Sequence, residues 1–334
     1  MPLHLRFGTD DLLRCRFALS PLCETHEAVR TLRRTERHGY HLPWLRRMRG
    51  ALADVGLELA PLWLFMPQPG YTPDFLGPPP TTPAPTFEDE LSRLRGTDPL
   101  LAREEMVRSL ACTPGAAESP LGRELLADPA HAVQRLADVT EQAWNALVAA
   151  DWPRLRTLLE ADIAYRSRQL ALDGLRGLFA DLHPRLAWAD GTLTLRTRDD
   201  RLDEQRLDGR GVLLLPSVFV WPDAVSGFAA PWQPTVIYPA RGIGALWQTP
   251  QAPTDALVRL LGPNRAAVLG GLDEPVSTTA LADRLGLAPS SVSAHLTVLR
   301  DAGLLTSRRH GHQVLYERTP LGLALAGAGG SGPA

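Results

Sequence analysis

Ser277-Thr-Thr-Ala-Leu-Ala-Asp-Arg-Leu-Gly-Leu-Ala-Pro-Ser-Ser-Val-Ser-Ala-His-Leu-Thr-Val-Leu-Arg-Asp-Ala-Gly303 reads as two helices joined by a tight turn. In the first, Leu281 and Leu285 lie four residues apart with Ala282 beside them, while Asp283 and Arg284 take the other side, which is one apolar stripe at helical spacing. Ser277 is a good N-cap. Gly286 stands where a left-handed residue is needed to end that helix, and Pro289 brings the fixed φ suited to the first turn of the next. Val292, Leu296 and Leu299 then point inward. On an ideal helix, at about 100° per residue, Ser290, Ala294 and Thr297 fall on the opposite side with Ser291 and Ser293 flanking.

The spacing Ala282-x3-Gly286-x5-Val292 is that of a helix-turn-helix, and each position has a mechanical reason. Ala282 lets two helix axes cross closely, Gly286 turns the chain, and Val292 packs the second helix on the first. The outer face is small and polar, as a helix must be to lie in a DNA major groove. Leu304 to Arg309 and Gln313 to Arg318 follow as two strand-like runs around His310-Gly311-His312, a hairpin with a basic tip. Helix, turn, helix and basic hairpin make a winged helix. The side chains expected at DNA are Ser290, Ser291, Ser293, Ala294, Thr297 and Arg300 on the second helix, with Arg308, Arg309, His310 and His312 on the wing.

Leu281-Ala-Asp-Arg-Leu-Gly-Leu, Val292-Ser-Ala-His-Leu-Thr-Val-Leu-Arg-Asp-Ala-Gly-Leu-Leu and the Arg308-Arg309 wing resemble the ArsR/SmtB family of bacterial repressors over about residues 254 to 320. The resemblance implies a winged helix-turn-helix regulator, a repressor, that binds a palindromic operator as a homodimer. It also marks departures. Metal-sensing members carry a Cys-x-Cys pair where this chain has Ser277 and Thr279, and the helix expected from Pro320 lacks the acidic and histidine ligands of zinc-sensing members. Metal response at the usual site is therefore not expected. The family commonly has a second histidine at Ala294 and a polar N-cap at Ala288, so the groove-facing surface here is poor in long donors.

At 334 residues, with 44% hydrophobic and 22% charged residues, the chain has room for a second, larger domain with a real core. The net charge of -2 carries no overall nucleic-acid signature. Between residues 254 and 320 seven arginines face six acids, so the basic charge is local to the wing, and non-specific DNA affinity should be modest. There is no lysine. Three cysteines, Cys15, Cys23 and Cys112, show no framework spacing, which favours a reducing cytoplasm. No run approaches the ~20 apolar residues needed to span a bilayer, so no membrane role is expected.

Ahead of the motif, Pro2 to Phe7 alternates as a short strand, and helical patterns begin at Thr9, at Ser20-Pro21 and at His41, the last with Trp44, Leu45, Met48 and Leu52 inward. Their outer faces hold Arg30, Arg33, Arg34, Arg37, Arg46, Arg47 and Arg49, which reads first as a solvated surface and second as an accessory DNA contact. Eight prolines between Pro67 and Pro85 exclude regular structure there and fit a loop crossing one domain. From Thr86 to about Leu182 amphipathic helices are punctuated by Asp98-Pro99, Thr113-Pro-Gly115, Asp128-Pro129 and Asp151-Trp-Pro153, the pattern of a helical bundle. The period then changes, with Asp190-Gly191 marking a hairpin and with strands expected over 212–221 and 235–238. Leu213-Leu-Leu-Pro-Ser-Val-Phe-Val-Trp-Pro222 and Thr235-Val-Ile-Tyr-Pro-Ala-Arg-Gly242 resemble the uncharacterised domain that precedes an ArsR-like winged helix in larger regulators from high-GC bacteria, a likeness that brings no known ligand.

Other chemistry is weaker. Cys23-x2-His26 with Cys15, His38 and His41 does not supply four convergent ligands in one frame. Gly209-Arg-Gly211 and Gly242-Ile-Gly244 lack the third glycine of a dinucleotide loop and read as turns at strand ends. No nucleophilic or paired-carboxylate set stands out, so neither catalysis nor a cofactor is expected. The eight tryptophans, all before residue 248, read as core packing ahead of an effector pocket. The reading is an α+β, mostly helical chain: a large helical domain with a few strands over 1–248 that regulates or dimerises, a winged helix-turn-helix over 253–320 and a flexible tail over 327–334. The expected partners are double-stranded DNA, a second copy of the chain and a small-molecule effector of unstated kind. The alternative is an enzyme or toxin-antitoxin component that uses the winged helix for docking or dimerisation.

Overall fold

The computed structural model describes residues 2–33, 39–196, 203–228, 232–247, 255–272, 275–310 and 313–327. The chain divides into two compact units, Met1–Arg34 with Arg47–Ala240, and Thr35–Arg46 with Arg241–Ala334. The sequence reading placed all of 1–248 in one domain, whereas the segment around residue 40 and residues 241–247 group with the C-terminal residues. Their contacts give the reason: Trp247 Nε1 donates to His41 Nδ1 at 3.0 Å, and Gly39 lies against Leu323. The expected junction over 248–253 and the tail beyond residue 327 lie outside the described residues.

In the larger unit β1 (Pro2–Arg6), α1 (Thr9–Leu12), β2 (Arg16–Phe17), α2 (Pro21–Arg33) and α3 (Leu42–Val55) come first, the unit boundary falling inside α3. There follow α4 (Ala60–Leu64), α5 (Phe87–Arg95), α6 (Pro99–Leu110), α7 (Pro120–Ala127), α8 (Pro129–Leu147) and α9 (Trp152–Ala180). The strands β3 (Leu186–Ala189), β4 (Thr192–Arg196), β5 (Asp203–Arg206), β6 (Leu213–Ser217), β7 (Val225–Gly227) and β8 (Thr235–Pro239) close it.

The helix starts are set by short polar residues ahead of proline. Asp98 accepts from the Leu100 and Leu101 amides at 2.9 and 3.1 Å, Ser119 from Gly122 at 3.0 Å, and Asp128 from His131 at 3.0 Å. Each satisfies amides that a helix leaves without an internal partner. Buried Ala132, Val133, Leu136, Thr140, Ala143 and Leu147 recur three and four apart along α8, and α2, α4, α5, α6 and α7 pack against it. The proline-rich stretch is irregular apart from a 3-10 turn at Asp74–Leu76, and it is not a linker: Phe75 and Leu76 are fully buried in this unit.

Two four-stranded sheets follow, in the orders β3-β4-β1-β5 and β2-β6-β8-β7. Asp190 and Gly191, both at positive φ, make the hairpin turn between β3 and β4. The second sheet has β6 running parallel to β2 on one side and β8 on the other. Every residue of β6 is buried, as expected of an uninterrupted apolar strand in a parallel arrangement, but the strand ends at Ser217. The sequence reading carried it to residue 221. What stops it is Glu24, whose carboxylate takes the Val218 amide at 3.0 Å, so the chain turns onto α2. Leu5, Phe179, Leu193, Leu195, Val212, Leu214, Val236 and Tyr238 form the core shared by the sheets and the end of α9.

The smaller unit contains α10 (Ile243–Leu246), α11 (Asp255–Leu261), α12 (Pro263–Gly270), β9 (Val276–Ser277), α13 (Thr278–Leu285), α14 (Pro289–Asp301), β10 (Leu305–His310), β11 (Gln313–Arg318) and α15 (Pro320–Gly327). Its core holds Ala266, Val268, Leu269, Leu272, Leu281, Ala282, Val292, Leu296, Leu299 and Tyr316. In α15, Gly322 has no room for a side chain, since an added Cβ would lie 2.1 Å from the Leu304 carbonyl oxygen.

The acids at the start of α2 make folding pH-dependent. Glu24 is 1% exposed, and burial pushes its carboxyl up to about 8 against the bonds it accepts from Ser217 and Val218; Glu90, which takes the Leu22 amide at 2.9 Å and the Ser20 hydroxyl at 2.8 Å, is pushed by burial to about 7. An unfolded glutamate titrates near ~4.3, so above that pH the folded chain holds protons the unfolded chain has lost. These two groups therefore make stability fall as pH rises from roughly 4.5 toward 8. In Glu24→Gln, urea denaturation across that range should show a shallower fall, by on the order of 1 kcal/mol per pH unit where the wild type is steepest. A slope equal to the wild type's would mean that Glu24 is ionised throughout. In the smaller unit, Gly286→Ala should cost about 1 kcal/mol in the same assay, because the site is at φ 64° with no neighbour within 4 Å, leaving only the backbone penalty. Unchanged stability would show that the left-handed turn is not enforced.

Candidate nucleic-acid interface

The junction of α13 and α14 forms as its residues dictate. The Ser277 hydroxyl accepts from the Ala280 amide at 3.3 Å and caps α13. Gly286 adopts φ 64°, ψ 30°, and the Leu287 amide donates to the Ala282 carbonyl at 3.0 Å, which closes the helix end with a six-to-one bond. Pro289 opens α14 behind Ala288, which offers no side-chain cap, so the first amides of that helix keep no side-chain partner. The C-terminal end repeats the device: Gly303 sits at φ 72° and the Leu304 amide bonds to Leu299 at 2.9 Å.

Packing then decides what faces outward. Val292, Leu296 and Leu299 are buried against α12 and α13, each removal from water stabilising by about 1.5–3 kcal/mol. Ser290, Ser291, Ser293, Ala294, Thr297 and Arg300 are all exposed. Two of these have partners of their own. The Thr297 hydroxyl donates to the Ser293 carbonyl at 3.0 Å, and Arg300 pairs with Asp301 at 3.0 Å. His295 is half-buried at the edge of the apolar stripe.

Val298 was missed. It is 45% exposed and falls beside Ala294 on the outer face, an apolar residue of the kind that contacts a thymine methyl. The wheel that placed Ala294 outward also places Val298 within about 40° of it; its apolar character concealed this.

The wing is the hairpin of β10 and β11, registered from Leu305↔Arg318 to His310↔Gln313, with β9 on the other side of β11. Successive residues alternate faces, so Arg308 and Arg309 point to opposite sides. Arg309 is exposed; Arg308 is half-buried, with its Nε unbonded and its charge acting on the half-buried Glu317, whose carboxyl is raised by burial and lowered by Arg308. His310 ends β10, and His312 lies outside the described residues.

Two further arginines have structural partners. Arg318 donates to the Gly270 carbonyl at 2.6 Å and Arg284 to that of Gly271 at 3.0 Å, at the C-terminal end of α12, where cations are favoured. Of the arginines read above as a surface, Arg30 pairs with Glu27 at 3.2 Å, Arg47 pairs with Asp151 and Arg33 donates to the Trp63 carbonyl at 3.3 Å, while Arg46 is exposed and Arg34 and Arg37 lie outside the described residues.

The remaining candidates fall apart as sites. Cys15 and Cys23 are half-buried and free, and His26 is buried, held neutral by burial that lowers it to about 3, with Thr140 at 3.1 Å. Among the described residues no three histidines, cysteines or carboxylates are arranged to hold a metal ion. Of the tryptophans only Trp44 is fully buried; Trp144 stacks on Phe87 at 4.5 Å and, with Trp152, lines a cleft of about 290 Å³. No described helix is long and apolar enough to cross a membrane.

Comparison with known proteins bears on both units. Residues 97–244 match a family of unknown function (DUF5937), and residues 260–308 match a helix-turn-helix domain family. No curated protein and no solved structure matches the chain. The second match runs from α11 into β10 and so takes in α12, α13, α14 and the turn between the last two, though not the second strand of the wing: the C-terminal unit of this α+β chain contains a helix-turn-helix domain, the equipment of a DNA-binding regulator.

Proposed function

We propose that the chain is a transcriptional repressor of the ArsR/SmtB-like class, working in the cytoplasm, which binds a palindromic operator as a homodimer. The observation that carries this reading is the outer face of α14, where six side chains expected at DNA are exposed while the opposite face is fully packed. Two such helices enter successive major grooves about 34 Å apart, with the wings on phosphate or in the minor groove. Ser290, Ser291, Ser293 and Thr297 are short, so they read shape and a few base edges rather than making long bidentate contacts. Val298 joins Ala294 as an apolar contact. Arg309 is the leading phosphate contact, ahead of Arg308, whose charge is shared with Glu317.

A metal does not set the repressor's state at the familiar position. The hydroxyl of Ser277 is already committed to capping α13, and neither it nor Thr279 supplies a thiolate. The larger unit is the place for an effector and for dimer contacts.

In a gel-shift assay with its own promoter DNA, Ser290→Glu combined with Ser291→Glu should abolish binding, because two carboxylates are set against phosphate, while thermal unfolding stays at the wild-type temperature. Undiminished affinity would remove α14 from the groove. The salt dependence is a second measure. Four wing guanidiniums per dimer predict a slope of log affinity on log salt of about −4, and Arg309→Gln should make it shallower by about 2. An unaltered slope would take Arg309 off the backbone.

A further inference from the structure

The larger unit carries three neighbouring arginines that make no ion pair among the described residues. Arg14, Arg16 and Arg210, with Gln233, line a shallow cleft of about 410 Å³ that is widely open to solvent. All three guanidiniums bond only to neutral acceptors. Arg14 donates to the Gly209 carbonyl at 2.7 Å, and Arg16 to Gln233 Oε1 at 3.0 Å and to the Pro80 carbonyl. Arg210 donates to the carbonyls of Leu207, Trp232 and Arg206 at 2.9, 2.9 and 3.0 Å. Gln233 is tied in turn through its amide to the Arg210 and Arg14 carbonyls. Among the described residues none of the three takes part in an ion pair, although Arg47, Arg95, Arg135 and Arg185 of the same unit each do.

The cluster is built, not incidental. It sits at the amino ends of the parallel strands β2, β6 and β8, where Arg16 pairs with Leu213 and Leu213 with Thr235. The turn Asp208-Gly209-Arg210-Gly211, with positive φ at 208, 209 and 211, delivers Arg210 beside them. Gly211 is obligatory there, because an added Cβ would come within 2.5 Å of the Arg14 backbone, and its amide is pinned by Asp11 at 2.9 Å. One donor is left over: Arg16 Nη1 is buried and has no hydrogen-bond partner. Burial lowers the Arg16 pKa with no acid to offset it. A parallel sheet usually holds its ligand beyond the carboxyl ends of the strands, but here Glu24 fills that end at Val218, which leaves the amino end as the open one.

We infer that this cleft is a binding site for a small oxyanion, a phosphate or carboxylate group that accepts from Arg16 Nη1 and from the unbonded nitrogens of Arg14. A planar guanidinium matches either group in bidentate fashion, and the cleft is of small-molecule size. The inference does not rest on the DNA-binding reading, and its test contains no operator.

The test is isothermal titration of the full chain at constant ionic strength with inorganic phosphate, with succinate and with a short duplex of arbitrary sequence. Saturable binding of phosphate or succinate is expected, weakened at least tenfold in Arg14→Gln and abolished in Arg14→Gln with Arg16→Gln. The relative affinities tell phosphate from carboxylate. Arg14 is exposed, so the single variant keeps the fold even if the double one does not. Absence of saturation with both anions, or equal binding by Arg14→Gln, overturns the assignment. So does a duplex affinity that falls in Arg14→Gln while the small anions bind nowhere, because the charge then faces a nucleic-acid backbone.

Discussion

The close crossing of α13 and α14 is the constraint on which the rest of the C-terminal unit depends. It needs a small residue at Ala282, a left-handed turn at Gly286 and a branched apolar side chain at Val292, all of which the structure realises with the two inner faces fully buried. Once those contacts are made, the outer face is no longer a free choice. A helix with Val292, Leu296 and Leu299 fixed inward must turn Ser290, Ala294 and Thr297 outward, since about 100° separates successive residues. The surface that α14 offers to solvent is therefore a consequence of core packing, and its chemistry was free to vary only in residue type.

That logic explains how much of this unit was legible in the sequence. Ser277, Gly286, Pro289 and Gly303 each act through local backbone geometry, which a reader can infer from residue type and spacing alone. The two strands of the wing and the Asp190-Gly191 hairpin are local in the same sense. What local reading mishandled was sidedness within charged or mixed runs. Arg308 and Arg309 look like one basic tip, yet strand alternation sends them apart and sets Arg308 beside Glu317. Val298 looks like core and is not.

The larger unit was less legible, for the opposite reason: its determining contacts join residues far apart in the chain. Glu24 reads as an ordinary surface acid of an amphipathic helix, but it is buried and receives the amide of Val218, 194 residues away, which is why β6 stops where it does. Glu90 does the same for the start of α2. The proline-rich stretch is irregular as composition requires, yet its apolar residues Phe75 and Leu76 are core, a fact set by tertiary packing that prolines do not forbid. Nor does spacing show that residues near 40 group with Trp247, since one hydrogen bond between His41 and Trp247 spans 206 positions.

The arginines of the two units meet different acceptors, and the difference bears on function. In the smaller unit Arg284 and Arg318 bond to carbonyls at the end of α12, where the partial negative charge of the helix terminus favours a cation. In the larger unit several described arginines, Arg47, Arg95, Arg135 and Arg185 among them, meet carboxylates. The guanidiniums of Arg14, Arg16 and Arg210 have neither device: their acceptors are backbone carbonyls of turns and loops and one side-chain amide. Holding like charges together works against folding, so the turn that brings Arg210 in must be secured by other means, and the tight approach of Gly211 to Arg14 and the bond its amide donates to Asp11 Oδ1 supply them. A fold that spends backbone geometry on gathering positive charge has left the neutralising partner to be supplied from outside.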